Sequence, residues 1–223
     1  MAEYKFKVKT NSPTGTLIDR LINRYAGGSD DITVAYLRIK DSSGTVLGQA
    51  SVSPSDWSNH TITKSVTITT GGSAAAFTLE SSDGAELYRY AVSLSLNAGD
   101  VVTITWTIGI SLGSNCTGVN YVLENIEGTA TTTNLKINGV TFFEAGSAIK
   151  TFDSSNATVS VTPDTTNDRV IVTITFTSNS NFGYDSFELI NPEGKPLISV
   201  TASGGITAGI QTTFKVTISI GAG

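Results

Sequence analysis

The stretch YRYAVSLSLNAGDVVTITWTIGISL, residues 88–112, decides the fold because its second half occurs twice. It returns near the C-terminus as AGIQTTFKVTISIG, residues 208–221, and the matched Ala-Gly pairs begin at residue numbers 98 and 208, which differ by 110. The match of 77–111 onto 187–221 needs no gap. A repeat that keeps one order and one register indicates two copies of one structural unit in tandem.

Apolar and polar residues alternate in both copies, which is typical of a strand with one buried face. The predicted inward residues are Val102, Ile104, Trp106, Ile108 and Ile110 in the first copy, and Thr212, Phe214, Val216, Ile218 and Ile220 in the second. The stretch therefore predicts a hairpin, with an Ala-Gly-Asp turn between two strands.

Weaker matches extend the repeat upstream. VTIT at 66–69 recurs at 172–175, where the residue numbers differ by 106. This difference predicts a loop four residues longer in the second copy, within 178–186. LRI at 37–39 resembles LKI at 135–137.

The polar link Gly113-Ser114-Asn115 separates the copies, and we predict domains at 1–112 and 113–223. About eight short strands in about 110 residues are typical of a sandwich or barrel. An immunoglobulin domain often has a cysteine pair, and this chain has a single cysteine. We therefore predict an all-β fold of two tandem antiparallel β-sandwich domains of the jelly-roll type.

One short helix is predicted in the first domain, at 17–26. Its apolar residues follow helical spacing, and Gly27-Gly28 supplies a stop. Thr16 and Asp19 have the spacing of a capping box.

Composition excludes several classes of function. Only 15% of the residues are charged and the net charge is −5, so the chain lacks the basic footprint of a nucleic-acid-binding protein. No stretch approaches the ~20 apolar residues of a membrane span, and the N-terminus does not resemble a signal peptide. We expect a protein made in the cytosol, or one from which a leader has been removed, without an intrachain disulfide and with Cys116 buried.

Catalysis and metal binding have little support in the sequence. The only histidine, His60, is expected in a solvated loop, and no nucleophile elbow surrounds a serine. The acid pairs Asp30-Asp31 and Asp164/Asp168 lie in segments where Asp is a turn residue. Segment 162–168 lacks the regular spacing of a calcium loop. We predict no catalytic residue, no metal site and no cofactor, and that the chain is not an enzyme.

Candidate contacts with partners fall into two groups. A lysine row on the first strand either guards a sheet edge or faces an acidic partner, and aromatic residues in polar loops serve sugar binding or protein docking. The candidates are Lys5, Lys7, Lys9, Trp57, Phe182 and Tyr184. Glycosylation sequons begin at Asn59, Asn115 and Asn156.

The two Thr- and Gly-rich sandwiches, with the repeated segments 77–111 and 187–221, resemble the double jelly-roll turret (vertex) protein of the archaeal turreted icosahedral viruses. The resemblance covers the whole chain and rests on no short motif. It implies a structural virion protein, assembled in the host cytoplasm as a homo-oligomer, expected to be a pentamer, at the base of a five-fold turret. Its partners would be the major capsid protein and outer turret proteins used in host attachment, with contact to the host surface only indirect.

Within this expectation, the lysine row of the first domain would face the capsid shell. The alternative is an extracellular tandem carbohydrate-binding or adhesin-type module, with Trp57, Phe182 and Tyr184 as sugar platforms. A hydrolase with a pair of carboxylates is a third hypothesis.

Overall fold

The computed structural model describes residues 1–10, 12–113, 115–117, 120–131 and 133–221. Ser114 of the predicted interdomain link lies outside the described residues. Most of the described chain is β-strand, in four sheets that form an all-β sandwich fold with few helices.

The strands and helices are labelled in chain order. In the first part of the chain they are β1 (Glu3–Thr10), α1 (Gly15–Tyr25), β2 (Tyr36–Asp41), β3 (Val46–Ser51), β4 (Trp57–Ser58), β5 (Thr61–Thr67), β6 (Gly72–Glu80), β7 (Glu86–Leu96) and β8 (Val101–Ile108). They continue with β9 (Cys116–Thr117), α2 (Asn120–Glu127), β10 (Gly139–Glu144), β11 (Ser147–Asp153), β12 (Thr158–Asp164), β13 (Arg169–Thr177), β14 (Phe182–Ile190), β15 (Pro196–Ile206) and β16 (Gln211–Ser219).

The chain divides into two compact units. The first unit comprises Met1–Arg20, Asp31–Ile110 and Leu123–Thr132, and the second comprises Leu21–Asp30, Ser111–Val122 and Thr133–Gly223. Each unit is thus assembled from three separate segments. The single border predicted after residue 112 stays a prediction, as does the jelly-roll type of the sandwich.

The first unit contains two four-stranded sheets, ordered β1-β8-β5-β4 and β3-β2-β6-β7. Side chains from the two sheets meet, as where Phe6 of β1 packs against Phe77 of β6. The inward residues Val102, Ile104 and Trp106 are fully buried, so the predicted alternation of β8 is confirmed. One pair departs from the antiparallel prediction, because β1 runs parallel to β8 over its whole length.

The hairpin predicted within residues 88–112 is wrong. β7 pairs with β6, whereas β8 pairs with β1 and β5 in the other sheet. The turn between them therefore connects the two sheets. Gly99 takes a positive φ of 90° there, and the Asp100 carboxylate accepts hydrogen bonds from the backbone N–H groups of Asn97 and Ala2.

The second unit contains the sheets β12-β13-β16 and β11-β10-β14-β15-β9. Its register repeats that of the first unit, since Ile62 pairs with Trp106 and Val172 pairs with Val216. Val172 and Val216 each lie 110 positions after their counterparts, Ile62 and Trp106. The matches at 66–69 and 37–39 are wrong: Val66 corresponds to Phe176, and Leu37, which pairs with Leu79, corresponds to Val140, which pairs with Leu189. The longer loop predicted within 178–186 is wrong as well, since four residues separate β13 from β14, as they separate β5 from β6.

The helix predicted at 17–26 is confirmed as α1, with its apolar residues buried and Gly27 at a positive φ of 100° after its end. Its cap is Thr14, whose Oγ1 accepts a hydrogen bond from the Leu17 N–H, instead of the predicted Thr16. The second helix, α2, was not predicted, although Val122 and Ile126 have helical spacing and are buried. Neither helix in the described ranges has the length and apolar character that crossing a membrane requires.

Candidate partner-binding edge

The lysine row lies on an exposed sheet edge. β1 is the outermost strand of its sheet, and Lys5, Lys7 and Lys9 are exposed on the face that points away from the core. Their neighbours on β8 are Thr103, Thr105 and Thr107. The edge position expected from the sequence is confirmed, and contact with a partner stays a prediction.

Trp57 is not the exposed loop aromatic that the sequence indicated. It begins the two-residue strand β4, pairs with Ile62 and is only 9% exposed. Its indole Nε1 has no hydrogen-bond partner among the residues that the structure describes. Pairing with β5 turns the ring inward, so Trp57 cannot serve as a sugar platform on the surface.

Phe182 and Tyr184 belong to strand β14 and not to an inserted loop. Their rings approach the buried Phe142, with centroid distances of 5.5 Å and 4.8 Å. Both residues remain half-exposed, and burial raises the pKa of Tyr184. They are therefore part of the aromatic core of the second unit, at a side where that core is incompletely covered.

The three sequon asparagines are all exposed. Asn59 and His60 both have positive φ, 48° and 59°, and form the two-residue turn between β4 and β5. Asn156 accepts a hydrogen bond from the Asp153 N–H, which fixes the β11–β12 turn. Glycosylation at Asn59, Asn115 and Asn156 stays a prediction.

His60 is not a freely solvated residue. Its Nδ1 lies 2.5 Å from Oε1 of Glu127, which is only 5% exposed. Thr129 donates a second hydrogen bond to Oε2 of the same carboxylate. The contact joins segment 123–132 to the β4–β5 turn within the first unit, so the role of His60 is structural.

One member of each acid pair named from the sequence accepts hydrogen bonds from nearby side chains or backbone. Asp164 accepts hydrogen bonds from Arg169 Nε and Asn167 Nδ2. Arg169 makes the larger contribution and Asn167 the smaller one to lowering the pKa of the Asp164 carboxyl. Asp31 accepts from the Thr33 N–H and the Ser82 hydroxyl. Within the described ranges, no three His, Cys, Asp or Glu side chains are grouped as metal ligands would be.

Cys116 was expected to be buried, but it is only half-buried. It lies on β9, opposite Val200 of β15. Burial raises the pKa of its thiol, so the thiolate is disfavoured.

The clearest unpaired surface lies along β16, the last strand of a three-stranded sheet. One side of β16 pairs with β13 over nine residues, from Gln211 to Ser219. On the other side, the described residues contribute only an isolated bridge between Leu112 and Ile220. We call this side, from Gln211 to Thr217, the open edge.

Side chains beside the open edge are incompletely buried. Phe214 and Val216, which should face the core, are half-exposed, whereas their counterparts Ile104 and Trp106 are fully buried. In the first unit, β1 covers the corresponding edge of β8. The difference in burial therefore coincides with the absence of a strand equivalent to β1 beside β16 in the described chain.

Sequence reasoning missed the open edge, although the signal was present. The repeated segment returns, but the pattern of Tyr4 to Lys9 has no second copy ahead of residue 120. The strand that lacks a second copy, β1, is the one that covers the equivalent edge in the first unit.

Comparisons with known proteins give no identity: no family model matches the chain, and no curated protein or solved structure is significantly similar to it.

Proposed function

We propose that this chain is a structural virion protein that forms the base of a five-fold vertex turret and links the capsid shell to outer turret proteins. The proposal rests on the resemblance given above. The structural observation that supports it best is the difference between two equivalent sheet edges. One edge is completed by a lysine-bearing strand, and the other is open. A linking protein needs two unlike contact surfaces, and these edges are unlike.

The outer face of the β5–β8 pair also suits a large interface. Hydroxyl groups hydrogen-bond to each other across the strands, from Thr61 to Thr107, Thr63 to Thr105 and Ser65 to Thr103. These hydroxyl groups are neutral and can be buried against a partner without desolvating a charge, and the lysines of the adjacent β1 lie at the border of this face. Five copies around an axis would make head-to-tail contacts that close a ring.

Within this proposal, the first unit faces the shell. Its edge strand β1 carries three exposed lysines, whereas β16 of the second unit carries one. Contact with the capsid shell is one of the two tasks of the linking protein. A reconstruction of the particle with residues 113–223 at the shell would contradict this orientation.

Two measurements test the function. Light scattering on the purified chain should give five times the protomer mass of 23.3 kDa, or should do so once the capsid protein is added. Cryo-electron microscopy of particles with a tagged chain should show density for the tag at the five-fold vertices. A strict monomer that never co-purifies with particles would overturn the proposal.

A carbohydrate-binding module is less well supported. Trp57 is buried, and the rings of Phe182 and Tyr184 pack on Phe142. One surface that could still hold a sugar is a depression of about 450 Å³ lined by Phe182, Gly183 and Ile206, among others. Glycan binding that is lost in Phe182→Ala, while the fold is retained, would favour this alternative.

A further inference from the structure

The two units have the same edge in two different states. In the first unit, residues 3–10 of β1 pair in parallel with residues 101–108 of β8. The residues 110 positions later, 211–218, belong to β16 and its sheet, and their corresponding edge is open among the described residues. The first unit therefore shows what kind of segment the edge of the second unit can hold.

Backbone groups point toward the open edge at every second residue. In the first unit, the Val101 N–H donates to the Ala2 carbonyl beside β1, and Ser219 accepts from the Gly113 N–H on the corresponding side of β16. Val101 and Ser219 both have odd numbers, and the shift of 110 between the units keeps odd residues odd. Since backbone groups alternate in direction along a strand, the N–H and C=O groups of Thr213, Lys215 and Thr217 face the open edge. These groups provide the hydrogen bonds for an added strand.

Apolar surface is available on the inner side of the same edge. Phe214 and Val216 are half-exposed, and Ile210, immediately before β16, is 57% exposed. The counterpart of Ile210 is Asp100, which binds the backbone N–H of Ala2 immediately before β1. In the second unit, Ile210 stands in the place of the Asp100 carboxylate. An isoleucine there favours an apolar residue at the position of the bound segment that corresponds to Ala2.

The charge at the edge distinguishes the occupant from a second copy of β1. In the first unit, Lys7 lies beside Thr105, whose counterpart in the second unit is the exposed Lys215. A β1 strand added to β16 in the same register would place Lys7 beside Lys215, and like charges in adjacent strands destabilise a pair. An acidic side chain at that position would be favoured instead.

We propose that the open edge of β16 binds an extended segment of another protein as a parallel strand, with apolar side chains at alternate positions and an acidic side chain beside Lys215. This inference rests on the proposed linking function and names the kind of partner that the second unit holds. The segment pairs along the open edge from Gln211 to Thr217, because Leu112 closes the edge at Ile220.

Two nonapeptides test the charge requirement: LEYKFKVKT, which keeps the lysines of β1, and LEYEFEVET, in which glutamates replace them. Fluorescence anisotropy with the full chain should show binding of the acidic peptide at least about tenfold tighter than that of the basic one. In the complex, hydrogen exchange should slow at the amides of Thr213, Lys215 and Thr217. Equal affinity for both peptides, or unchanged exchange at β16, would overturn the inference.

Three variants make the result specific. Lys215→Glu should reverse the preference between the peptides, whereas Lys195→Glu makes the same charge change in the second unit, away from β16, and should leave it unchanged. Lys215→Pro removes an N–H that points to the open edge and so should fold and lose binding. Its folding is checked by circular dichroism.

Self-association of the full chain, with concentration-dependent protection of the same amides, would show that the occupant is a second copy and would refute the heterologous partner. A chain found at the vertices that fails to bind the acidic peptide would refute this inference and leave the proposed function intact.

Discussion

Phe6 of β1 packs edge-on against Phe77 of β6, with ring centroids 5.0 Å apart and ring planes at 70°. This contact joins the only parallel strand of the first unit's described sheets to the opposite sheet. It also shows that β1 contributes to the core and is more than a charged edge.

Replacing Phe6 with alanine should therefore destabilise the first unit. Loss of a half-buried ring and its edge-to-face contact is expected to cost about 2 kcal/mol in the free energy of unfolding. Urea denaturation monitored by tryptophan fluorescence reports on the first unit, because Trp57 and Trp106 both lie in it. Lys7→Ala, the adjacent change on the exposed face, should shift the free energy by less than about 0.5 kcal/mol. Equal effects of the two substitutions would contradict the packing role of Phe6.

The stability of the first unit should fall in acid because of Glu80. Its side chain is fully buried, accepts a hydrogen bond from Thr78 and forms ion pairs with Arg38 and Lys40. Desolvation raises the pKa of Glu80, but Lys40, Thr78 and Arg38 outweigh it, so the pKa lies below its ordinary value of 4.5. A lowered pKa contributes stability that is fully present above 4.5 and is lost as pH falls through the folded-state value.

Glu80→Gln should flatten this acid dependence and cost about 2 kcal/mol at pH 7, because two cations lose their buried partner. Urea midpoints between pH 2 and 7 measure both effects. Glu86→Gln is the matched control, since Glu86 forms a partly exposed ion pair with Arg89 on the surface. An unchanged acid dependence in Glu80→Gln would exclude Glu80 as its source.

Gly204 should be intolerant of alanine. A Cβ atom there would lie 2.4 Å from the hydroxyl oxygen of Tyr184, so the ring would have to leave its position near Phe142. We expect a loss of about 1–3 kcal/mol. Gly183→Ala is the control, because its nearest atom would be 3.7 Å away. Thermal unfolding of both variants decides the matter, and indistinguishable midpoints would show that Tyr184 moves at no cost.

Cys116 should react slowly with thiol reagents in the native protein. Burial raises the pKa of the thiol above its ordinary value of 9.0, which reduces the thiolate that reacts. At pH 8, labelling with an aromatic disulfide should be about tenfold slower than in the urea-unfolded chain. The unfolded chain supplies the control, and equal rates in the two states would be inconsistent with a protected thiol.

Much of the fold follows from alternation and repetition. The apolar residues of 102–110 are buried as predicted, and the shift of 110 residues persists in the strand pairing. Pairing partners could not be predicted from the same pattern, because a hairpin and a connection between sheets have identical alternation. The distinction depends on contacts such as that of Asp100 with the Ala2 N–H, which are distant in sequence.

The candidate edge was less accessible to sequence reasoning. The polar residues Ser55 and Asp56 precede Trp57 and indicate an exposed loop, but pairing with Ile62 turns the Trp57 side chain inward. The sequence predicts Phe182 and Tyr184 in a loop, because VTIT at 66–69 matches 172–175 at a position four residues away from the one that the strand pairing gives. The exposure of Phe214 and Val216 depends on whether a strand covers the open edge, and within the described residues none does. The signal for this lies in the unmatched pattern of β1 and not in the sequence around β16.

The parallel pairing of β1 with β8 has a consequence for synthesis on the ribosome. Glu3 pairs with Val101, so β1 has no partner on β8 until about a hundred further residues have been made. Formation of this long-range pair must be a late step in folding. During that delay, Lys5, Lys7 and Lys9 keep a strand with alternating apolar residues from joining strands of neighbouring nascent chains.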